Sequence, residues 1–545
     1  MIVLGLSGGL RLGYQDASAC LLRDGEVVAA VEEERLNRIK HAPGQLPELA
    51  IDWLLKSQGL EIFDIDAIAF HGSTWGREFE ERLSAFFTHR YGHCPRIHRV
   101  HHHLAHAASA YYASGWESAM ILTVDGSGDG MSTGLFHGHA GQIEMLKGFE
   151  RPQSLGIFFS AITQFCGFRR DSDEYKVMGL ASYGNPGAFD LSDFLRITND
   201  GYELNSDYLA PIAPGAPQPT RQEPMFSSRL TRLLGEPRRP NEPITQRHKD
   251  IAAAAQTQLT LALRTLVKNL HERTGLRNLC LAGGVALNCR ANQDLLDLDF
   301  VDDLYICPAP GDNGLALGAA YVVAKEFGDS PKPLKHNYLG PSYTDTEIEK
   351  ILRLCGAKYT QVNDPALAAA ELVLKGKIVG WFQGALEFGP RALGARSILA
   401  NPCLKDVKDV LNSKIKFRES FRPFCPSVRI EDTQSLFRLK AATKAAAYMT
   451  VTADAKDAAR ELYPAIVHVD GTTRIQTVGD QFPVYRTYLD QIAKHLRHGI
   501  TVNTSLNLNN QPIACSPRDA LAAFYSSGMD ALVMGSFVLK KLEND

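Results

Sequence analysis

Two stretches of the chain carry the same alternation of apolar runs and polar breaks. Near the start, IVLGL (residues 2–6) leads into a Gly-rich turn and Asp16, followed by ASACLL, the break RDGE and VVAAVEE. Near residue 120, AMILTV leads into Asp125, the loop GSGDG and TGLFHG. Short apolar runs bounded by Gly and Asp read as strands, with Asp-Gly pairs as their turns. Each stretch therefore predicts strand, aspartate, glycine loop, strand. Two unrelated hairpins would carry the same turns, but the two copies also form a weak internal repeat.

Helical spacing accounts for much of the rest. EEERLNRIKHA (residues 32–42) reads as a charged segment entering a helix that continues through LPELAIDWLLKSQG, most of it solvated face. SLGIFFSAITQFCGF predicts a helix, and RRDSDEYKVMGLASYG a polar loop with Lys176 ahead of its glycines. Residues 210–245 are Pro-rich and aperiodic, a surface excursion or lid. A long amphipathic helix is expected over 251–274. LCLAGGVALNC then predicts a strand, a Gly283-Gly284 turn and a helix start, with Asn288 one turn on. DLYICPAPGDNGLALGAAYVVAKEF repeats that pattern with Asp312 and Asn313 in the loop, facing the same cleft as Asp125. A polar, Pro-containing linker at 327–345 separates a first domain (1–335) from a second of about 200 residues (336–545).

With 545 residues, 45% hydrophobic and 22% charged, the chain is an ordinary globular protein of more than one core. A net charge of −3 gives no electrostatic footprint for nucleic acid or an anionic membrane, so neither partner is expected. Ten cysteines without a CxxC pair indicate neither a zinc ribbon nor a disulfide framework. The opening residues lack a basic segment and a long apolar run, and no stretch reads as a bilayer span, so a cytoplasmic protein is expected.

Candidate chemistry falls in two places. His102 and His106, four apart in HHHLAHAASAYY, share one face of a helix and could hold one metal ion from the same side. Asp125 adds an anionic oxygen and Asp312 a plausible fourth donor, a set suited to a borderline divalent metal. The glycines around Ser127 would let a phosphate approach the backbone. In the second domain Arg391, Lys416, Arg418, Arg422 and Arg474 sit in apolar, Gly/Pro-punctuated loops beside Phe388, Phe417, Phe421 and Phe424. Buried guanidinium groups need anions, so this reads as a polyanion pocket, with a structural ion-pair core as the alternative. Asn503, Thr504 and Ser505 add neutral donors at a strand end.

At these residues the chain resembles the NodU/CmcH family of O-carbamoyltransferases over nearly its whole length. The resemblance rests on LRDGEVVAAVEEERLNRIKH, HHLAH, LTVDGSGD, EYKVMGLASYG, LAGGVALN and PGDNGLALGAA, and then on EFGPRALGARSILANP, KIKFRESFRPF, DGTTRIQTV and NTSLN. It implies an N-terminal actin/hexokinase-like (ASKHA) duplicated α/β domain and a C-terminal YrdC-like α/β domain. The second would make carbamoyl adenylate from ATP and carbamoyl phosphate, with Mg2+ accompanying the ATP. The first would transfer the carbamoyl group to a hydroxyl of an antibiotic, sugar or other secondary metabolite. By motif, His102, His106, Asp125 and Asp312 would hold a divalent metal, iron being the family's usual occupant. Ser127, Gly283, Gly284 and Asn288 would contact nucleotide in the transfer cleft. Arg391, Lys416, Arg418, Arg474, Asn503 and Ser505 would bind carbamoyl phosphate and ATP, with Lys416 and Arg474 acting catalytically. Gln15, Asp16 and Lys40 would lie at the acceptor end. Family members commonly carry His-Asp where this chain has Gln15-Asp16, and an amide does not titrate, so Asp16 becomes the expected base or orienter. Related enzymes make a homodimer the expected assembly. Two other readings are a tRNA- or protein-modifying carbamoyl enzyme and a non-catalytic actin-like nucleotide-binding protein.

Overall fold

The computed structural model describes residues 1–9, 15–211, 223–440 and 443–541. The first half contains two five-stranded sheets of the same design. In one, β1 (Ile2–Ser7), β2 (Ser18–Arg23), β3 (Glu26–Glu32), β4 (Ala67–His71) and β5 (Arg96–Val100) lie in the order β3-β2-β1-β4-β5. The other uses β6 (Ser118–Gly128), β7 (Met131–His139) and β8 (Gln142–Glu150). After a separate hairpin of β9 (Leu195–Thr198) and β10 (Gly201–Leu204) come β11 (Asn278–Ala282) and β12 (Asp303–Ile306). Its order is β12-β11-β6-β7-β8. In both sheets the first three strands form an antiparallel meander and the last two join the first in parallel. The weak repeat in the sequence is thus a full structural duplication, and the first half has the actin/hexokinase-like fold.

Two helices fill the space between the sheets. Leu315–Glu326 lies on β1 and β4, and His102–Ser114 on β6 and β11. Small residues allow this packing. A Cβ on Gly5 would stand 2.0 Å from the Ala316 carbonyl oxygen, and one on Gly318 only 1.8 Å from that of Ala105. The outer faces pack against Glu48–Gln58 on one side and Leu155–Phe165 and Gln246–Thr274 on the other. The consequence for function is that both inner helices begin at the cleft, with their positive dipole ends there.

The second half holds a mixed eight-stranded sheet. Its strand order is Thr360–Gln361, Phe537–Lys540, Ala531–Met534, Val379–Phe382, Arg396–Ala400, Ile500–Ser505, Cys425–Arg429 and Gln476–Val478. A small sheet of Phe437–Arg438, Thr452–Ala455 and Thr472–Arg474 stands beside it. Polar contacts join the halves: Glu32 accepts from Gly389 N–H at 2.7 Å, and Arg35 donates to the Gly389 carbonyl at 2.7 Å.

Several expectations need correction. Residues 32–42 are not one helix with the next segment, and their first four are not solvated, although Ile39 and Lys40 are exposed. The helix Glu33–Asn37 ends at Arg38, whose φ is 62°, and the next begins at Glu48. Glu32, Glu33, Glu34 and Arg35 are all buried. Arg35 pairs with Glu32 and Glu34, while Glu33 accepts from the N–H groups of Leu49 and Ala50, so the charges serve one another inside the protein. Lys176 is not on a loop but on the helix Glu174–Ala181. The amphipathic helix starts earlier than expected, at Gln246, after Thr245 in a capping box with His248. Within the Pro-rich stretch Ser228–Leu234 is helical, and residues 212–222 lie outside the described residues.

Candidate active site

Four donors converge at the mouth of the cleft. His102 and His106 come from the first and second turns of the helix His102–Ser114, Asp125 from β6, and Asp312 from the turn opening the helix Leu315–Glu326. Asp125 occupies a break in the β6–β7 ladder, between the pairs Val124↔Thr133 and Gly128↔Met131, and the irregularity turns its side chain into the cleft. The Nε2 atoms of His102 and His106 each lie 3.1 Å from Asp125 Oδ2, and 3.7 and 3.5 Å from Asp312 Oδ1. All four donor atoms fall within 4.8 Å of one another. Ligands about 2.1 Å from a central tetrahedral ion would be roughly 3.4 Å apart, so the residues fit a metal ion. Asp312 Oδ1 is buried without a hydrogen-bond partner, as expected of a donor shaped for an added cation.

The electrostatics agree. Burial pushes His106 down, but its hydrogen bond to Asp125 and the negative charges of Asp125 and Asp312 outweigh it and raise the imidazole to about 9. Burial opposes ionisation of Asp125, yet the two histidines hold it well below the usual carboxylate range. Asp312 is raised, by burial and by the charge of Asp125. Two carboxylates thus compete for positive charge in one small volume, and a dication would relieve the competition.

The surrounding loops hold this set in place. Asp129 accepts from the N–H groups of His102, Ser73 and Thr74, anchoring the helix that carries both histidines. A Cβ on Gly128 would meet the His102 ring at 2.1 Å, so only glycine leaves the imidazole its position. Asp125 Oδ1 accepts from Gly126 N–H at 2.8 Å and Gly284 N–H at 3.3 Å, and Gly283, with φ 94°, donates to the Pro310 carbonyl. The Gly283 and Gly284 donors expected for a nucleotide are therefore already engaged in positioning the metal-type cluster. Asn288 is also committed: its amide is paired with Gln256, and its oxygen caps the helix Cys289–Leu296. Ser127 is exposed at the cleft.

The second half gathers the expected cations. Lys416 ends a wide helical turn, Leu411–Lys416, and its ammonium donates only to uncharged oxygens of Ser505 and Asn507. Burial, then Arg418, Arg422 and Lys40, hold it well below the ordinary lysine value. Arg418 stacks on Phe424 and donates to Asn412, and burial with Arg422 brings it down to about 9. Arg391, pressed by burial and by Arg474, falls to about 10. Arg474 donates to Cys425 Sγ at 3.0 Å; burial opposes its charge, but the thiols of Cys425 and Cys289 raise it overall. Among the described residues no carboxylate forms an ion pair with Arg391, Lys416, Arg418 or Arg474, whereas Arg422 pairs with Glu419 at 3.6 Å. The ion-pair-core alternative is excluded for those four. Asn503 is buried beside this group, donating to Ala392 next to Arg391, to Ser427 and to Gln476.

Comparison with known proteins decides the family. A profile described as "Carbamoyltransferase N-terminus" matches residues 7–96 and 89–321, and "Carbamoyltransferase C-terminus" matches 370–541. The chain belongs to the carbamoyltransferase family. This carbamoyltransferase is 37% identical to nodulation protein NolNO of Sinorhizobium fredii, over 99% of its own chain and 83% of that protein. It is 31% identical to a 3'-hydroxymethylcephem-O-carbamoyltransferase of Amycolatopsis lactamdurans over 49% of each chain. Among solved structures, full-length HypF in a phosphate- and nucleotide-bound form aligns with 14% identity and a TM-score of 0.34, covering 61% of this chain and 47% of that one.

Gln15, Asp16 and Lys40, expected at an acceptor end, are each held by neighbours. Gln15 donates to the Asp171 carbonyl at 3.2 Å, and Lys40 pairs with Glu34 at 3.5 Å. Asp16, with φ 61°, places Oδ1 2.7 Å from Nδ1 of His41. Three features here had no sequence signal: the His41–Asp16 pair, the Asp129 anchor, and the approach of Cys289 from the first half to Arg474 of the second. Each depends on residues far apart in the chain. Among the described residues no helix is long and apolar enough to cross a membrane.

Proposed function

We propose that the protein is an ATP-dependent O-carbamoyltransferase, acting in the cytoplasm on a hydroxyl of a small molecule such as an antibiotic, a sugar or another secondary metabolite. The observation that carries this reading is a set of four cations, Lys416 buried and Arg391, Arg418 and Arg474 half-buried, that have no carboxylate partner among the described residues. Such a set is costly to keep unless an anion completes it, and phosphates match guanidinium geometry. In this reading the second half, YrdC-like, binds carbamoyl phosphate and Mg2+-ATP; water cleaves carbamoyl phosphate to carbamate and phosphate, and a carbamate oxygen then attacks the α-phosphorus of ATP, giving carbamoyl adenylate and pyrophosphate. Lys416 and Arg474 neutralise the facing phosphates, and Ser505 holds Lys416 in place.

Transfer then takes place in the first half. A carbamoyl carbonyl is deactivated by its nitrogen lone pair, so an alcohol needs a good leaving group, and AMP is one. His102, His106, Asp125 and Asp312 would hold a divalent metal, Fe2+ in this reading, which supplies Lewis-acid charge near the adenylate phosphate. Asp125 is fixed for this by Gly126 and Gly284. The acceptor hydroxyl enters beside Gln15, Asp16 and Lys40. The cephem relative, whose name records a hydroxymethyl acceptor, supports an alcohol as substrate. The test is incubation of the full chain with ATP and labelled carbamoyl phosphate. Pyrophosphate release that requires both is expected; none with both present would overturn the reading.

A further inference from the structure

The imidazole at the cleft mouth has a use that the two clusters do not supply. His41 Nδ1 is fixed by Asp16 Oδ1 at 2.7 Å, and the backbones are tied as well, Asp16 N–H donating to the His41 carbonyl at 2.7 Å. Both residues sit in left-handed conformations, φ 61° and 65°, as does Ala42 at 38°. Such a local cost persists only where the surrounding structure holds it. The His41 N–H donates to Glu34 Oε2 at 2.6 Å, which completes the hold. Both side chains keep about a quarter of their surface open, 24% and 28%, and Nε2 has no partner among the described residues.

The pair also stands between the two pockets. Asp16 is two residues from Ser18, whose hydroxyl donates to the Asn313 carbonyl beside Asp312. On the other side, Lys40 is near enough to Lys416 for its charge to act there. The charged groups facing His41 are Asp16, Glu34 and Lys40, and Lys40 is itself paired with Glu34. A carboxylate orienting one imidazole nitrogen while the other faces an open cleft is the arrangement of a general base.

We infer that His41, positioned by Asp16, takes the proton from the acceptor hydroxyl. Asp16 is then a positioning residue rather than the base, and Gln15 holds the segment to Asp171. The acceptor oxygen forms a bond to the carbamoyl carbon, the bond from that carbon to the AMP phosphate oxygen breaks with its electron pair leaving on AMP, and the hydroxyl proton passes to His41 Nε2. The inference rests on the carbamoyl adenylate reading above.

The test uses the full chain with ATP and carbamoyl phosphate, water as the hydroxyl probe and hydroxylamine as a nucleophile that is already a free base at neutral pH. In His41→Gln, first-turnover pyrophosphate release is expected to stay within about twofold, while AMP release to water falls about tenfold or more and loses its rise with pH. Hydroxylamine should restore AMP release to within about threefold. Asp16→Asn should also lower AMP release to water, because the imidazole loses the carboxylate that orients it, and hydroxylamine should restore it. AMP release to water in His41→Gln with unchanged rate and pH profile would overturn the assignment. A wild-type chain that releases no pyrophosphate would instead remove the adenylate reading, and this assignment would fall with it.

Discussion

Lys416 is fully enclosed, surrounded by uncharged oxygens and by other cations, and held well below its ordinary pKa for that reason. A phosphate arriving in the pocket reverses the balance, favouring the ammonium, so ligand binding should draw a proton from solution. Calorimetry with carbamoyl phosphate at about pH 8.5, where the ligand is fully ionised, in buffers of different ionisation enthalpy should show proton uptake. Lys416→Met should abolish that uptake. Equal uptake in both proteins would show that Lys416 does not face the anion.

Glu33 gives a second test at this scale. Burial, opposed by hydrogen bonds from Ala50 and Leu49, raises its carboxyl to about 7. The folded protein therefore keeps a proton that the unfolded chain gives up near the ordinary glutamate value. Its contribution to stability is full below that value and is lost as pH rises through about 7. Relative to Glu33→Gln, the wild type should lose up to about 3 kcal/mol between pH 4.5 and pH 8. Denaturant melts at the two pH values measure this, and parallel changes in both proteins would contradict it. The sequence did not disclose this residue. A run of three glutamates with two arginines ordinarily marks a solvated helix face. Here Arg35 and the backbone of the next helix satisfy the charges internally, partners that no local pattern reveals.

At the scale of elements, the cleft depends on how closely two helices approach. Gly318 meets the Ala105 carbonyl with no room for a methyl group, next to His106 and about one turn from His102 on the neighbouring helix. Gly318→Ala should cost about 1–3 kcal/mol through overpacking, and should also lower the metal content of the purified protein. A thermal melt with elemental analysis checks both, and an unchanged melt would mean that the helices part freely. Gly128→Ala should act more locally, displacing His102 and lowering bound metal with less effect on the melt. These elements were legible because their signals are short-range. The i, i+4 histidines and the alternation of strand, aspartate and glycine each lie within a few residues. The break at Arg38 and the helix around Lys176 were missed because tertiary partners, Asp519 with the backbone of Pro512 and Ile513 for Arg38, and Glu419 for Lys176, fix them against their local pattern.

Across the whole molecule, the two clusters belong to different sheets systems yet share a boundary. Cys289, next to Asn288 in the first half, lies against Arg474 of the second, and Lys176 reaches Glu419 at 3.1 Å. The duplication of the first half could be sensed from the sequence, as could the cationic character of the second. The placement of Asn288, Gly283, Gly284 and Asn503 in supporting positions could not, because those side chains and N–H groups are claimed by partners tens or hundreds of residues away.

Two pockets divide the labour in this reading, and measuring both half-reactions in two variants tests that division. His106→Ala should lower bound metal and carbamoyl transfer while pyrophosphate release from ATP and carbamoyl phosphate continues. Arg474→Ala should abolish pyrophosphate release while leaving the metal content unchanged. Loss of both half-reactions together in His106→Ala, or undiminished pyrophosphate release in Arg474→Ala, would contradict the account.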